Sequence, residues 1–282
     1  LDQSDVFGNG VVTAADPGIV SAHLIFSLGS SSALELGTLQ RPKGVAAHLQ
    51  SKGLGRHTFL CGQSGSGKTY TLGVILERLL LDTDIRVVVI DPNSDYVNLG
   101  SVQARESTAF SEPDYEELAS RYDAVSSQVH VLGDEGAEHR LQVQFGRLSF
   151  RQQTMVLGLD PIKDPEEYNA YVRVVRGLGT EGFSLDDVMA KIRSTFDDDA
   201  RRLGLRIDNL GIQQQTIWAG DNEPVMTKLS DDWRMLVADT GSLPSSDEAS
   251  IASAALLTFI WEQRRERRPM IIVIDEAHNV CP

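Results

Sequence analysis

The sequence predicts an α/β protein in which helices cover a mainly parallel β-sheet. Apolar runs rich in Val and Ile alternate with segments of helical periodicity, such as the run at 85–90 after the amphipathic segment at 68–81. A loop rich in Gly and Ser at 62–67 precedes that helical segment, and a further apolar run at 270–274 ends in two acids. Strands separated by helices need crossover connections, and for this reason the sheet is predicted to be parallel.

Length and composition exclude several classes of protein. A chain of 282 residues with 41% hydrophobic and 23% charged residues can bury a sizeable core, as one large domain or two ordinary ones. The 26 basic and 40 acidic side chains give a net charge of −14, which excludes a nucleic-acid binder of the histone type. A few basic residues on one face could still contact nucleic acid.

The cysteines and the apolar runs indicate a soluble protein from a reducing compartment. Cys61 and Cys281 are too few for a disulfide scaffold and lack the spacing of a metal site. The acidic start of the sequence does not resemble a signal peptide, and the longest apolar stretch, at 251–261, is far shorter than the ~20 residues of a membrane span. We therefore expect a cytoplasmic protein without a membrane contact.

Periodicity and composition place the elements along the chain. Strands are predicted at 11–13, 19–26, 58–61, 85–90, 128–132, 141–145, 235–238 and 270–274, and helices at 68–81, 114–120 and 246–265. Between residues 149 and 220 the strand pattern disappears, and helix starts are indicated by Asp164 before Pro165 and by Ser184 before an acidic turn. This segment is predicted to be entirely helical.

The strongest motif fits the P-loop pattern, G-x4-G-K-[ST]. Its residues, together with the one that follows, are Gly62, Gln63, Ser64, Gly65, Ser66, Gly67, Lys68, Thr69 and Tyr70. Glycines let backbone N–H groups approach a polyphosphate closely, and the positive end of the following helix faces the same charge. Lys68 is predicted to contact the β- and γ-phosphates, and Thr69 to bind Mg²⁺. The predicted cofactors are therefore ATP and Mg²⁺; the alternative is a plain surface loop.

The second motif is the apolar run at 270–274 followed by Asp275 and Glu276, which is the Walker B pattern. Asp275 is predicted to hold Mg²⁺ directly or through a water molecule, and Glu276 to polarise the attacking water. Glu276 and Lys68 are thus the predicted catalytic residues. An acid at this position favours an ATPase over a GTPase or a small-molecule kinase. Apolar strands often end in acids for structural reasons. The motif therefore indicates an ATPase only because the same chain also contains a P-loop.

These motifs together resemble the HerA group of hexameric DNA-translocating ATPases, in the HerA–FtsK branch of P-loop ATPases. Besides the P-loop, the resemblance rests on Arg56, His57, Thr58, on Asp91, Pro92, Asn93, Ser94, Asp95, Tyr96, and on Asp275, Glu276, Ala277, His278, Asn279. The family's usual second segment reads Asp-Pro-His-Gly-Glu-Tyr, so Asp91 and Tyr96 match while Asp95 is shorter than the family's Glu. Asp91 could order the Mg²⁺ shell or the water, or be an ordinary strand-end acid.

The resemblance implies a RecA-like P-loop core with a mainly parallel sheet, an all-α insertion and part of an N-terminal β-barrel. Residues 1–45 would then be the remnant of a β-rich domain, and 149–220 the helical insertion. The ATPase core would comprise 46–148 and 221–282. The family's barrel and core are longer, so we expect a fragment trimmed at both ends, with the sensor residue and the arginine finger beyond it.

The resemblance also implies an activity and partners. It implies an ATP-dependent translocase or helicase subunit that acts on double-stranded DNA as a homo-oligomeric ring, in the family a hexamer. A nuclease or another effector protein could be bound to that ring. Two alternatives stay open: a nucleotide-binding ring scaffold that presents an effector, for example in phage defence, and a secretion or conjugation motor of the same superfamily.

Overall fold

The computed structural model describes residues 13–29, 33–103, 112–179, 182–220, 224 and 232–279. The chain folds into two compact units, Leu1–Asp84 and Ile85–Pro282, each with its own packing. Within the described ranges, none of the helices combines the length and the apolar character that a bilayer span requires.

In its described residues, the first unit contains two α-helices, a short 3₁₀ helix at Ser51–Gly55 and a two-stranded sheet. Its elements are α1 (Pro17–Leu28), β1 (Ala33–Thr38), β2 (Ala46–Gln50) and α2 (Lys68–Asp82), and the two strands pair antiparallel. The predicted boundary at residue 45 therefore falls in the connection between the paired strands. α2 packs against β1 and buries Leu76, Leu79 and Leu80, the apolar face predicted from periodicity.

Two element predictions in this unit are wrong. Residues 19–26, predicted as a strand, lie in α1, because Asp16 caps the backbone N–H groups of Gly18 and Ile19 and Pro17 occupies the first helical position. Residues 58–61, predicted as the strand before the P-loop, have no regular secondary structure. An apolar run becomes a strand only when a neighbouring strand supplies hydrogen bonds, and the run itself does not contain that information.

The β-barrel stays a prediction. Over residues 13–29 and 33–45 the structure shows only α1 and β1, with no barrel. Of the strand predicted at 11–13, only Thr13 is described, and it belongs to no strand. The remainder of that strand lies outside the described residues, as does Cys281.

The second unit is built on a five-stranded sheet, which confirms the predicted fold class. Its strands are β3 (Arg86–Asp91), β4 (Val129–Gly133), β5 (His139–Arg140), β6 (Met235–Asp239) and β7 (Met270–Ile274). Their order is β5-β4-β6-β3-β7, and every neighbouring pair is parallel. All residues of β3 and β6 are buried, as expected for strands covered on both faces. The register places Asp91 beside Asp239, so acids from two strands meet at one edge.

Helices cover this sheet. They are α3 (Glu112–Ser126), α4 (Phe150–Val156), α5 (Pro165–Leu178), α6 (Leu185–Arg193), α7 (Asp198–Leu210) and α8 (Ser246–Gln263). The helical character predicted for 149–220 is confirmed, and Ser149 and Ser184 each form a capping box. The apolar side chains of α4 to α8 share one core with the strands, in which Tyr171 and Leu203 join Val88 of the sheet.

The prediction of a strand at 141–145 is wrong. Only Val143 forms an isolated bridge, with Trp218, and Phe145 begins a short 3₁₀ turn. Leu141, Val143 and Phe145 are all buried in the core. The alternation of apolar and polar residues over 141–145 therefore arises from an irregular segment whose apolar side chains enter the core. Periodicity alone cannot distinguish such a segment from a strand.

Candidate functional site

The P-loop residues form a tight, exposed turn that leads into α2. The N–H of Ser66 donates to the carbonyl of Gln63 at 3.1 Å. Gly65 and Gly67 have φ angles of 76° and 84°, in the left-handed region that favours glycine. A Cβ on Gly62 would lie 2.5 Å from the Ser66 hydroxyl oxygen. A side chain at any of these glycines would strain the turn or fill its concave side.

The same turn offers the donors that a polyphosphate needs. α2 begins at Lys68 and carries no acid in its first turn, so the positive end of its dipole is not offset there. Lys68 is half-buried, whereas Thr69 and Tyr70 are exposed. Backbone N–H groups, an ammonium and a hydroxyl thus stand together at one helix start. These residues fit the phosphates of a nucleotide, with Thr69 as a ligand for Mg²⁺.

Three carboxylates meet at the carboxyl edge of the sheet in the second unit. Oxygen atoms of Asp91, Asp95 and Asp275 all lie within 4.8 Å of one another. The fold thereby brings together two residues predicted from the sequence and adds Asp95, whose position in the motif was the only indication of it. Carboxylate oxygens are the ligands that Mg²⁺ prefers, so this donor set fits a divalent cation.

Asp91 is fully buried and organises the loop that follows β3. Its Oδ1 accepts hydrogen bonds from the N–H groups of Asn93 and Asp95 at 3.3 and 3.1 Å, and its Oδ2 from that of Tyr96 at 2.8 Å. Burial raises the pKa of the Asp91 carboxyl and the charge of Asp239 adds to this, while the three hydrogen bonds act in the opposite direction. Both oxygens of Asp91 are therefore engaged by the loop.

Asp275 is held at both of its carboxylate oxygens. Oδ1 accepts a hydrogen bond from the N–H of Glu276 at 2.9 Å, and Oδ2 from the hydroxyl of Tyr96 at 3.4 Å. The N–H of Asp275 donates to the carbonyl of Ile90 at 3.1 Å, which extends the ladder between β3 and β7. Each oxygen of a carboxylate has two lone pairs, so both retain one that could face a cation.

Glu276 lies in the turn directly after β7. Its φ of 43° is in the left-handed region, which a residue other than glycine rarely adopts and which often marks functional positions. Its side chain is 38% exposed, and one of its oxygens lies 3.4 Å from Nδ1 of His278. The carboxylate of Glu276 is therefore accessible to water, as its predicted role requires.

The end of β6 contributes further links that the sequence did not predict. Oδ1 of Asp239 accepts hydrogen bonds from the hydroxyl of Ser94 at 2.7 Å and from the N–H of Ser242 at 3.1 Å. A Cβ on Gly241 would lie only 2.6 Å from the carbonyl oxygen of Pro92. The sequence shows Asp239 and Gly241 at the end of a predicted strand. It does not show their contacts with Ser94 and Pro92, which exist because β6 lies beside β3.

The family model for the central domain of helicase HerA matches residues 34–256. The chain belongs to this family. The match includes the P-loop, β3 and the loop that carries Tyr96, and it ends before β7. Among solved structures, VirB4 of Thermoanaerobacter pseudethanolicus is similar with a TM-score of 0.53 and 16% identity, over 89% of this chain and 69% of that one. No curated protein matches the chain significantly.

HerA-family membership identifies the chain as a P-loop ATPase domain. The likeness to VirB4 concerns the fold, and it agrees with the predicted RecA-like core. The P-loop and the three carboxylates lie in different units, and each is described by its own geometry: the loop fits phosphates and the carboxylates fit a divalent cation.

Proposed function

We propose that this HerA-family domain belongs to an ATP-dependent motor that translocates double-stranded DNA. The observation that carries the proposal is the occurrence, in one HerA-family chain, of a P-loop with left-handed glycines and of a parallel strand, β7, that is followed by Asp275 and Glu276. A Gly-lined turn binds polyphosphate, and an acid-tipped strand supplies metal ligation and water activation.

Each residue has one task in this proposal. The N–H groups of the loop and the ammonium of Lys68 bind the phosphates, and Thr69 and Asp275 hold Mg²⁺. Bound Mg²⁺ neutralises charge that develops on the transferred phosphoryl group. Glu276 orients the attacking water and accepts its proton, for which its exposed position after β7 is suited.

The partners are part of the same proposal. HerA-family membership favours a homo-oligomeric ring, a hexamer, with double-stranded DNA in its channel and a nuclease or other effector bound to it. The net charge of −14 is compatible with this arrangement, because a ring needs basic groups only where it faces the DNA.

Two substitutions test the nucleotide site. Lys68→Ala should weaken ATP binding by about 100-fold or more, because it removes a charge-assisted contact to phosphate. Glu276→Gln should leave ATP binding intact and lower the hydrolysis rate by about 100-fold or more, because the amide cannot accept the proton. Fluorescent-nucleotide titration and phosphate release measure the two effects.

Matched controls make the result specific. Lys52→Ala removes an exposed lysine from the same unit, and Glu262→Gln neutralises an exposed glutamate on α8. Both controls should behave as the unsubstituted protein. Full hydrolysis by the Glu276→Gln chain would reject the role of Glu276, and normal ATP binding by the Lys68→Ala chain would reject the P-loop assignment.

The ATPase rate with and without double-stranded DNA separates the motor from its alternatives. A translocase should be stimulated by DNA, whereas a ring scaffold should be indifferent to it. A secretion or conjugation motor is the second candidate, and the structural likeness to VirB4 favours it. Hydrolysis that responds to protein substrates or membranes but not to DNA would support this second candidate.

A further inference from the structure

One buried hydroxyl joins the loop after β3 to the acid after β7. Tyr96 is only 3% exposed, and its hydroxyl donates a hydrogen bond to Oδ2 of Asp275 at 3.4 Å. A tyrosine hydroxyl is protonated at neutral pH, since the ordinary pKa of tyrosine is about 10, and it therefore serves as a hydrogen-bond donor to the carboxylate.

The loop that carries Tyr96 is held firmly at its own backbone. The N–H of Tyr96 donates to Oδ2 of the buried Asp91 at 2.8 Å. Two residues earlier, Ser94 has a φ of 60°, and its hydroxyl donates to Asp239 at 2.7 Å. Gly241 packs directly against this loop at Pro92. The position of the Tyr96 ring is thus determined by the two strands on either side, β6 and β7, and by β3 itself.

The carboxylate of Asp275 has no other fixed contact among the described residues than the N–H of Glu276 at Oδ1 and the Tyr96 hydroxyl at Oδ2. With only the Oδ1 contact, the carboxyl group could rotate and present its oxygens in several directions. With both contacts, its plane is set before a cation arrives. Groups that orient a metal ligand in this way typically change metal affinity by about 10-fold to 100-fold when they are removed.

We propose that Tyr96 is a positioning residue that fixes the orientation in which Asp275 binds the divalent cation. The inference rests on the proposed function, because it takes Asp275 as the ligand of Mg²⁺. It assigns a task to a tyrosine that lies outside the P-loop motif and outside the group of three carboxylates. It also explains why the loop between Asp91 and Tyr96 is tied to its neighbours so closely.

The test uses Tyr96→Phe in the full chain, which removes one hydroxyl and keeps the ring that fills the core. Mn²⁺ serves as the probe, and its binding in the presence of ADP is followed by electron paramagnetic resonance. We expect the dissociation constant for Mn²⁺ to rise about tenfold, near the lower limit for such groups because the hydrogen bond is long. The affinity for ADP without metal should not change.

The matched control is Tyr171→Phe. The hydroxyl of Tyr171 is also buried and donates to Oε1 of Gln153 at 2.7 Å, between α5 and α4. This variant should lose comparable stability and bind Mn²⁺ normally. A second variant, Ser94→Ala, removes the hydrogen bond from the loop to Asp239. It should weaken Mn²⁺ binding by about threefold, because the loop that carries Tyr96 is then held less firmly.

The outcomes are distinct. If both Tyr96→Phe and Ser94→Ala bind Mn²⁺ as tightly as the unsubstituted protein, the role of Tyr96 is overturned while the motor proposal stands. The same holds if Tyr171→Phe weakens Mn²⁺ binding as much as Tyr96→Phe, because the effect would then follow general stability. If the unsubstituted protein shows no ADP-dependent Mn²⁺ binding, the proposed function is overturned and the role of Tyr96 with it.

Discussion

Gly241 provides the sharpest test of how the strand ends are packed. A Cβ at this position would lie 2.6 Å from the carbonyl oxygen and 2.8 Å from the carbonyl carbon of Pro92, and 2.9 Å from the hydroxyl of Ser94. The first two obstacles are backbone atoms, so no side-chain rotation relieves them. Reaching an ordinary contact distance of 3.4 Å requires a backbone shift of roughly 0.8 Å at the end of β3 or of β6.

The cost of Gly241→Ala follows from this displacement. The backbone shift that overpacking forces costs about 1–3 kcal/mol, and loss of the hydrogen bond between Ser94 and Asp239 adds about 1 kcal/mol. We therefore expect the free energy of unfolding to fall by about 2–4 kcal/mol. Urea denaturation followed by circular dichroism measures this change, with the slope on urea concentration unchanged.

Gly136→Ala is the control for this experiment, because no atom lies within 4 Å of a Cβ there and its φ is not in the left-handed region. It should shift the free energy of unfolding by less than about 0.5 kcal/mol. If Gly241→Ala shifts it by no more than the control does, the ends of β3 and β6 do not approach each other this closely in solution, and the loop after β3 is not held rigidly there.

Substitutions at two further positions, Glu248 and His130, test the second unit. Glu248→Ala should lower the free energy of unfolding by about 1–3 kcal/mol in urea denaturation, because Oε2 of the buried Glu248 accepts hydrogen bonds from the Thr216 hydroxyl and the Ile217 N–H. Glu248→Gln keeps an acceptor there and should recover most of the loss; equal losses would contradict this role. Burial lowers the pKa of His130, and the charge of His139 lowers it further, so the unfolded chain takes up this proton at a higher pH than the folded one. Stability should fall as the pH drops through the ordinary histidine range, and less steeply in His130→Gln; an equal slope would refute this.

The sequence predicted elements well where the local pattern is decisive. The helix predicted at 68–81 is found as α2, Lys68–Asp82, and the strand predicted at 270–274 is β7, Met270–Ile274. In both cases the local pattern suits the neighbouring element: the apolar face of α2 packs against β1, and the apolar run of β7 pairs with β3. The run at 58–61 looks equally apolar, but whether it becomes a strand depends on a partner elsewhere in the chain.

For the candidate site, the motifs identify residue types and the fold supplies the relations between them. Lys68 and Asp275 follow from spacing and chemistry alone. The hydrogen bond from Tyr96 to Asp275 depends on β7 lying beside β3, and the contact of Gly241 with Pro92 depends on β6 lying on the other side. Strand order is a property of the whole sheet, and no local pattern encodes it.

The strand order has a consequence for how the chain acquires its structure during synthesis. β6 lies between β4 and β3 in the sheet, yet the ribosome makes it after both of them and after α4 to α7. Until residue 239 has left the exit tunnel, β3 and β4 have no common neighbour, and a nascent chain exposes their unpaired edges. Completion of the sheet requires contacts between segments more than a hundred residues apart, which slows this step and leaves the strand edges open to aggregation until it is finished.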